Sequence, residues 1–283
     1  MRRRVLAAVG AALTLSAAAF SWQSAAVAVS ASQAQPSRPT EPPHSAESQD
    51  RPPVVAARML ARFPHDPAAF TQGLFFSGGK LFETTGLEGR STLREVDLAT
   101  GMVKRQVALP PDLFGEGATD WGSEIVSITW RTGVGFRWDR ATFRQRGRFT
   151  YAGEGWGLAQ DGKRLILSDG TPTLRFLDPK SLKETGRVTV TFAGRPLAML
   201  NELEWVDGAL WANVWHQNAL VRIDTRSGRV TQVLDLAPIV AEVQVQDPEA
   251  VPNGIAWDAK ARRLYVTGKN WPALFRIELP PAP

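Results

Sequence analysis

Glu83 is the acid whose sequence surroundings most suggest proton chemistry. It stands between the apolar pair Leu81-Phe82 and the polar run Thr84-Thr85-Gly86. A carboxyl set among aromatic groups has its charged form disfavoured, so its pKa is expected to rise from about 4.3. Such a group can pass protons near neutral pH. A Glu satisfied by a structural partner is the competing reading of the same pattern. Glu202 and Glu204, two residues apart, project to one face of a strand. They could hold a cation or an amine, or cap backbone amides. Glu116, in Phe114-Gly115-Glu116-Gly117, is a further acid of the same kind.

Aromatic and amide side chains gather around these acids in short phrases: Phe70-Thr71-Gln72-Gly73, Glu154-Gly155-Trp156-Gly157, Leu200-Asn201-Glu202 and Pro252-Asn253-Gly254. Trp130, Asn213-Val214-Trp215 and Lys269-Asn270-Trp271 add to them. The chain has 10 Trp, and Trp130, Trp156, Trp215 and Trp271 fall at equivalent strand ends. Aromatic walls with a few polar groups suit a small amphipathic ligand. Other chemistries fit poorly. The chain has no Cys and 3 His, which removes thiolate nucleophiles and disfavours a zinc centre. Neither a Gly-x-Ser-x-Gly elbow nor a phosphate-binding loop is present, and His216 has no evident Ser or Asp partner.

The elements that must position these groups follow from a phrase repeated along the chain. Gly73-Leu74-Phe75-Phe76 leads through Gly79-Lys80-Leu81-Phe82-Glu83 to Gly86. Gly117 to Trp130, Gly157 to Gly170, Glu202 to Trp215 and Gly254 to Gly268 repeat the pattern of strand, polar turn and strand. The copies begin about 40–50 residues apart, a propeller-blade period. Further strands follow each copy, and the third strand usually ends in Asp, whose side chain can accept from the next turn's amides. The fifth unit lacks a fourth strand, which Val54 to Phe63 can supply, removing an exposed edge. The expected fold is therefore all-β: a five-bladed β-propeller over residues 54–283, closed by an N-terminal strand. Its channel should hold the site. Local helix is expected only around Ile239–Val243 and Pro111–Phe114.

Residues 1–28 read as a secretory signal peptide, with Arg2-Arg3-Arg4, an apolar run from Val5 to Phe20, and Ala26-Val27-Ala28 at the cleavage site. Residues 29–53, rich in Ser and Pro, read as a disordered linker. An exported protein, periplasmic or secreted, is expected, with no membrane association beyond export. The net charge of +5 is scattered among acids, with no basic stripe for nucleic acid. A closed ring needs no partner, so a monomer is expected.

Seven phrases in order resemble the plant-type (papaya-type) glutaminyl-peptide cyclotransferases: Phe70-Thr71-Gln72-Gly73-Leu74, Phe82-Glu83-Thr84-Thr85-Gly86, Phe114-Gly115-Glu116-Gly117, Glu154-Gly155-Trp156-Gly157-Leu158, Leu200-Asn201-Glu202-Leu203-Glu204-Trp205, Asn253-Gly254-Ile255-Ala256 and Thr267-Gly268-Lys269-Asn270-Trp271-Pro272. The resemblance spans Val54 to Leu279. It implies cyclisation of an N-terminal glutamine to pyroglutamate with loss of ammonia, on glutaminyl peptides or proteins, without metal or other cofactor. It also implies Glu83 as the catalytic acid and base, in a motif where Tyr and Ser are commoner than this chain's Phe82 and Thr84. Phe70, Gln72, Trp130, Trp156, Asn201, Glu202, Trp215, Asn253, Lys269 and Trp271 are then the substrate-binding positions. A metal-dependent lactonase or hydrolase on a propeller, recruiting Asn201, Glu202, Asn253 and Asp258, is an alternative. A non-catalytic peptide-binding propeller is another.

Overall fold

The first repeat shows how the pattern becomes a sheet. Two short strands meet at Gly78-Gly79, where both residues have positive φ (59° and 77°) and Ser77 pairs with Lys80. Two consecutive left-handed residues match the twist of a tight hairpin, and glycine adopts them without a side-chain clash. Asp207-Gly208 (49° and 86°) turns the fourth repeat in the same way.

The computed structural model describes residues 51–283. The signal-peptide reading and nearly all of the linker reading fall outside them. Two short strands come first, β1 (Val54–Ala56) and β2 (Met59–Pro64). Blade one is β3 (Thr71–Ser77), β4 (Lys80–Thr85), β5 (Thr92–Val96) and β6 (Val103–Ala108). Blade two is β7 (Gly115–Trp121), β8 (Glu124–Thr129), β9 (Val134–Asp139) and β10 (Gln145–Thr150). Blade three is β11 (Leu158–Gln160), β12 (Leu165–Leu167), β13 (Thr173–Leu177) and β14 (Glu184–Thr189), followed by a small hairpin, β15 (Thr191–Phe192) and β16 (Arg195–Pro196). Blade four is β17 (Leu200–Val206), β18 (Ala209–Val214), β19 (Ala219–Ile223) and β20 (Val230–Asp235), with α1 (Ala237–Val240) after it. Blade five is β21 (Pro252–Asp258), β22 (Arg263–Gly268) and β23 (Ala273–Ile277).

The N-terminal segment closes the ring in two places. β2 pairs antiparallel with β23 and completes blade five. β1 pairs in parallel with β20, so blade four has five strands. The single closing strand expected from Val54 to Phe63 is thus two, and together they tie blades four and five. Pro111–Phe114 forms a turn rather than helix.

Five apolar layers lie between successive blades. Phe75, Phe82 and Leu93 pack with Ile125, Phe136 and Trp138. Val126 and Ile128 meet Leu158 and Leu165, and Ile166 and Leu174 meet Leu203, Leu210 and Val221. Trp211 and Leu220 meet Ile255 and Phe275, and Tyr265 and Leu274 return to Leu74 and Leu81. Inner strands are therefore covered on both faces and read as continuous apolar runs. The outer strands β6 and β14 alternate half-buried and exposed residues along one solvated face. The Asp at the end of the third strand in blades one to four works as expected: Asp97, Asp139, Asp178 and Asp224 accept from turn amides at 2.7–3.2 Å.

Candidate active site

Four of the five innermost strands break register at the same place. The shift falls between Thr71 and Gly73 in β3, Gly115 and Ala118 in β7, Leu200 and Leu203 in β17, and Pro252 and Ile255 in β21. A bulge re-aims a side chain out of the strand's alternation. The re-aimed stretches carry Gln72, Glu116, Asn201 and Asn253, all buried at one end of the channel. Gln72 Nε2 donates to Glu116 Oε1 at 3.2 Å, and Asn253 Nδ2 donates to Gln72 Oε1 at 3.0 Å. The sequence pattern gives no sign of these bulges.

A ring of side chains surrounds this floor, drawn from every blade. Phe70 meets Phe114 edge-on at 6.1 Å, and Phe114 meets Trp130 at 5.5 Å. The Trp130 and Trp156 indoles both donate to Glu154 Oε2, at 2.7 and 2.9 Å. Trp156 meets Trp215 edge-on at 5.5 Å. Lys269 Nζ closes the circuit, 5.9 Å from the Trp215 ring centre and 4.7 Å from that of Phe70. Among the described residues, three buried polar atoms here have no protein partner: Asn201 Oδ1, Asn253 Oδ1 and Trp215 Nε1. Such atoms are costly to leave unpaired, and two acceptors with one donor match what a substrate amide or amine would supply.

Glu116 is the carboxyl in this floor. Its burial pushes its pKa well above the carboxylate range; the Lys269 ammonium draws it down and Glu154 pushes it up further. Lys269 is lowered by its own burial, against the attraction of Glu116 and Glu249. The two groups are thus brought toward one another in proton affinity, as an acid–base site requires.

Glu83 has the opposite environment to the one expected from sequence. Its side chain is 0% exposed. Thr71 Oγ1 donates to Oε1 at 2.7 Å, His65 Nε2 lies 3.0 Å from the same oxygen, and Arg94 Nε donates to Oε2 at 2.8 Å. Burial alone would raise its pKa, but the His65 and Arg94 charges and the hydrogen bonds outweigh it and hold the carboxyl at about 2. The expectation of a raised pKa at Glu83 is overturned. β4 runs in unbroken register here, with Glu83 opposite Leu74 and Arg94, so its acid stays in the interblade layer.

Two further expected positions also lie elsewhere. Trp271 is fully buried, donates from Nε1 to the Ala250 carbonyl at 2.8 Å and packs on Phe275; it is core rather than wall. Glu202 accepts from the backbone N–H of Leu74 (3.2 Å) and Ile255 (2.9 Å), tying blade four to blades one and five. Phe70, Gln72, Trp130, Trp156, Asn201, Trp215, Asn253 and Lys269 do converge. A cavity of about 430 Å³ lies at the opposite mouth, lined by Ser77, Asp120, Gln160 and Glu204 among others. Its polar groups are paired: Gln160 Nε2 donates to Asp120 at 3.4 Å, Arg140 lies 3.3 Å from Asp120, and Glu204 accepts from the Trp257 amide at 2.9 Å.

The glutamine cyclotransferase family model matches residues 24–279. The chain belongs to that family. A glutaminyl-peptide cyclotransferase of Arabidopsis thaliana is 41% identical over 225 residues, 78% of this chain and 70% of the relative. The solved glutaminyl cyclase of Myxococcus xanthus superposes with a TM-score of 0.77 at 36% identity, covering 81% of this chain and 98% of the other. The chain thus converts N-terminal glutamine to pyroglutamate with release of ammonia, on a five-bladed propeller.

Proposed function

We propose that this cyclotransferase binds the glutaminyl side chain inside the ring of Phe70, Phe114, Trp130, Trp156 and Trp215, and that Glu116 carries the proton. The observation behind this is a buried, raised carboxyl hydrogen-bonded to Gln72 and facing Lys269 under an aromatic collar. The reaction is intramolecular: the neutral α-amine attacks its own γ-carbonyl carbon. Holding the folded conformer therefore supplies much of the rate.

As the C–N bond forms, the γ-oxygen gains negative charge and the attacking nitrogen gains positive charge. Glu116, as carboxylate, takes a proton from that nitrogen and returns it to the γ-amide nitrogen, which leaves as ammonia. The Lys269 ammonium and the free Trp215 N–H are the donors suited to the oxyanion. Asn201 Oδ1 and Asn253 Oδ1 accept from the α-amine and the γ-amide N–H groups. Gln72 holds Glu116 in place. The collar keeps bulk water from the tetrahedral intermediate, where hydrolysis would compete.

The substrates are peptides or proteins beginning with Gln, and the enzyme acts as an exported monomer, periplasmic or secreted. Support for export is the sequence of the leader. Ammonia release from a Gln-initiated dipeptide tests the proton carrier: Glu116→Gln should lose turnover with its fold intact. Turnover at the parent rate in that variant would remove Glu116 from the mechanism.

A further inference from the structure

Glu83 is left without a part in the proposed proton transfers, yet three polar side chains, His65, Thr71 and Arg94, are devoted to it. His65 bridges two elements: its Nε2 lies 3.0 Å from Glu83 Oε1 and its Nδ1 lies 2.7 Å from the carbonyl oxygen of Trp271. A carboxylate and a carbonyl only accept, so both ring nitrogens donate and the imidazole is a cation. The Trp271 carbonyl belongs to the turn that begins at Lys269. The same turn is held from its other side, where the Asn270 amide donates to the Ala69 carbonyl at 2.7 Å and Asn270 Nδ2 to the Pro67 carbonyl at 3.1 Å. Asn270 has φ 57°, in the left-handed region.

On the other flank, Thr71 Oγ1 donates to Glu83 and the Thr71 carbonyl accepts from Asn253 Nδ2 at 2.9 Å. Thr71 immediately precedes the bulged Gln72. Arg94 completes the cluster by joining Glu83 Oε2 to Asp66 Oδ2, at 2.8 and 2.9 Å. Asp66 opens the loop that runs to Phe70. Two anions and two cations balance there, so the cluster carries no net charge to disturb.

We propose that Glu83 is the positioning centre of the active site. Through His65 and the Trp271 carbonyl it fixes the turn presenting Lys269; through Thr71 it fixes the bulge presenting Gln72; through Arg94 and Asp66 it fixes the loop presenting Phe70. It touches neither substrate nor reacting atoms. The inference rests on the reading of Glu116, Lys269 and Gln72 as the working groups.

The consequence is a specific signature. Glu116 faces Lys269 from the turn after β22, Glu154 from the loop after β10, Tyr151 beside that loop, and the neutral Gln72. Of these, Lys269 is the group that lowers the proton affinity of Glu116. Loosening the His65 tie lets the ammonium recede, so Glu116 loses its proton only at higher pH. A misplacement of about 1 Å also costs on the order of 100-fold in rate.

The experiment compares the full-length protein with His65→Gln, Thr71→Val and Thr71→Ser, using ammonia release from a glutaminyl dipeptide across pH, and circular dichroism to give the folded fraction. Gln keeps a donor toward Glu83 and loses the tie to the Trp271 carbonyl. His65→Gln should lower kcat more than its folded fraction, with the acid limb of kcat/KM moved to higher pH. Merely losing folded enzyme would scale the profile without moving it, and that result would overturn the proposal. Thr71→Val should lower kcat about tenfold or more by the same displacement argument, and Thr71→Ser should restore it. A Thr71→Val enzyme with parental kcat, or a Thr71→Ser enzyme as slow as the valine variant, would also overturn it. If His65→Gln fails to fold, the Thr71 pair carries the test. Full activity in Glu116→Gln sinks the proton-carrier reading; an inactive Glu116→Gln beside an unmoved His65→Gln profile sinks the positioning role alone.

Discussion

Exchanging Glu83 and Glu116 each for its amide separates a proton carrier from a structural hub. Glu116 has a folded pKa above its unfolded value near 4.3, because burial disfavours its charge. The folded state therefore holds that proton more tightly than the unfolded chain, and stability falls as pH rises from about 4.3 through the folded value. At neutral pH the parent carries this penalty in full or in part. Glu116→Gln removes it, keeps an oxygen for the Gln72 amide, and should melt at or above the parent's temperature. Its kcat should fall by about 10²–10⁴-fold, the usual worth of a positioned acid–base group, or roughly 3–5 kcal/mol of barrier.

Glu83→Gln adds a loss of stability to a loss of positioning. It leaves the Arg94 and His65 cations facing a neutral amide, and unpairing a buried ion pair costs about 3–5 kcal/mol. For a domain of this size that lowers Tm by roughly 6–20 °C. Melting by circular dichroism and ammonia release from a glutaminyl dipeptide read both variants. A Glu83→Gln protein that melts with the parent but has lost all turnover, beside an active Glu116→Gln, would falsify the assignment and return the proton to Glu83.

Lys269→Met should lower kcat with a smaller change in KM, because the ammonium is aimed at charge that develops only in the transition state; a raised KM at unchanged kcat would make it a ground-state binding group. Trp215→Phe keeps the edge-on ring contact with Trp156 but deletes the free N–H, so activity should drop by about 10²–10³-fold, in keeping with one lost oxyanion donor, at an unchanged Tm. Trp271→Phe is the contrast: it deletes the bond to the Ala250 carbonyl inside the core, and Tm should fall by a few degrees while kcat holds in the folded enzyme. On acidification the Glu83 contribution is present above about pH 4.3 and lost as pH falls through about 2, on the order of 3 kcal/mol in all. Since His65 is raised, its share is full below about pH 6.5 and lost as pH rises through its folded value; urea midpoints across pH should trace both edges. EDTA should leave ammonia release unchanged, and inhibition by it would favour a metal-dependent reading.

The blades were readable because their signals are local. Paired apolar runs with Gly-Gly or Asp-Gly between them state a hairpin, and the interval between copies states the ring. The closing strands were partly readable: Val54 to Phe63 carries apolar residues in plenty, but nothing in it says that Arg58 marks a change from parallel pairing with β20 to antiparallel pairing with β23. That choice depends on two sheets far away in sequence. The collar was readable for the same reason as the blades, since Trp130, Trp215 and Lys269 each follow a second strand while Phe70, Phe114 and Trp156 each precede a first.

The proposed shift of the proton from Glu83 to Glu116 was not legible in the sequence because alternation describes only an unbroken ladder. Glu83 lies in one, and a side chain on a second strand of a propeller points into the layer between blades, where an acid survives only with cations around it. Arg94 sits directly opposite on β5, and His65 arrives from a segment before the first blade, so only the first of these partners is visible as a strand neighbour. Glu116 escapes the layer because β7 slips register between Gly115 and Ala118. Glycine allows that slip: a Cβ at Gly117 would stand 2.5 Å from the Leu158 backbone nitrogen. The Phe-Gly-Glu-Gly phrase was therefore the better signal, since glycines flanking an acid at the head of an innermost strand mark backbone that leaves the ladder, and that departure lets a channel residue reach a substrate.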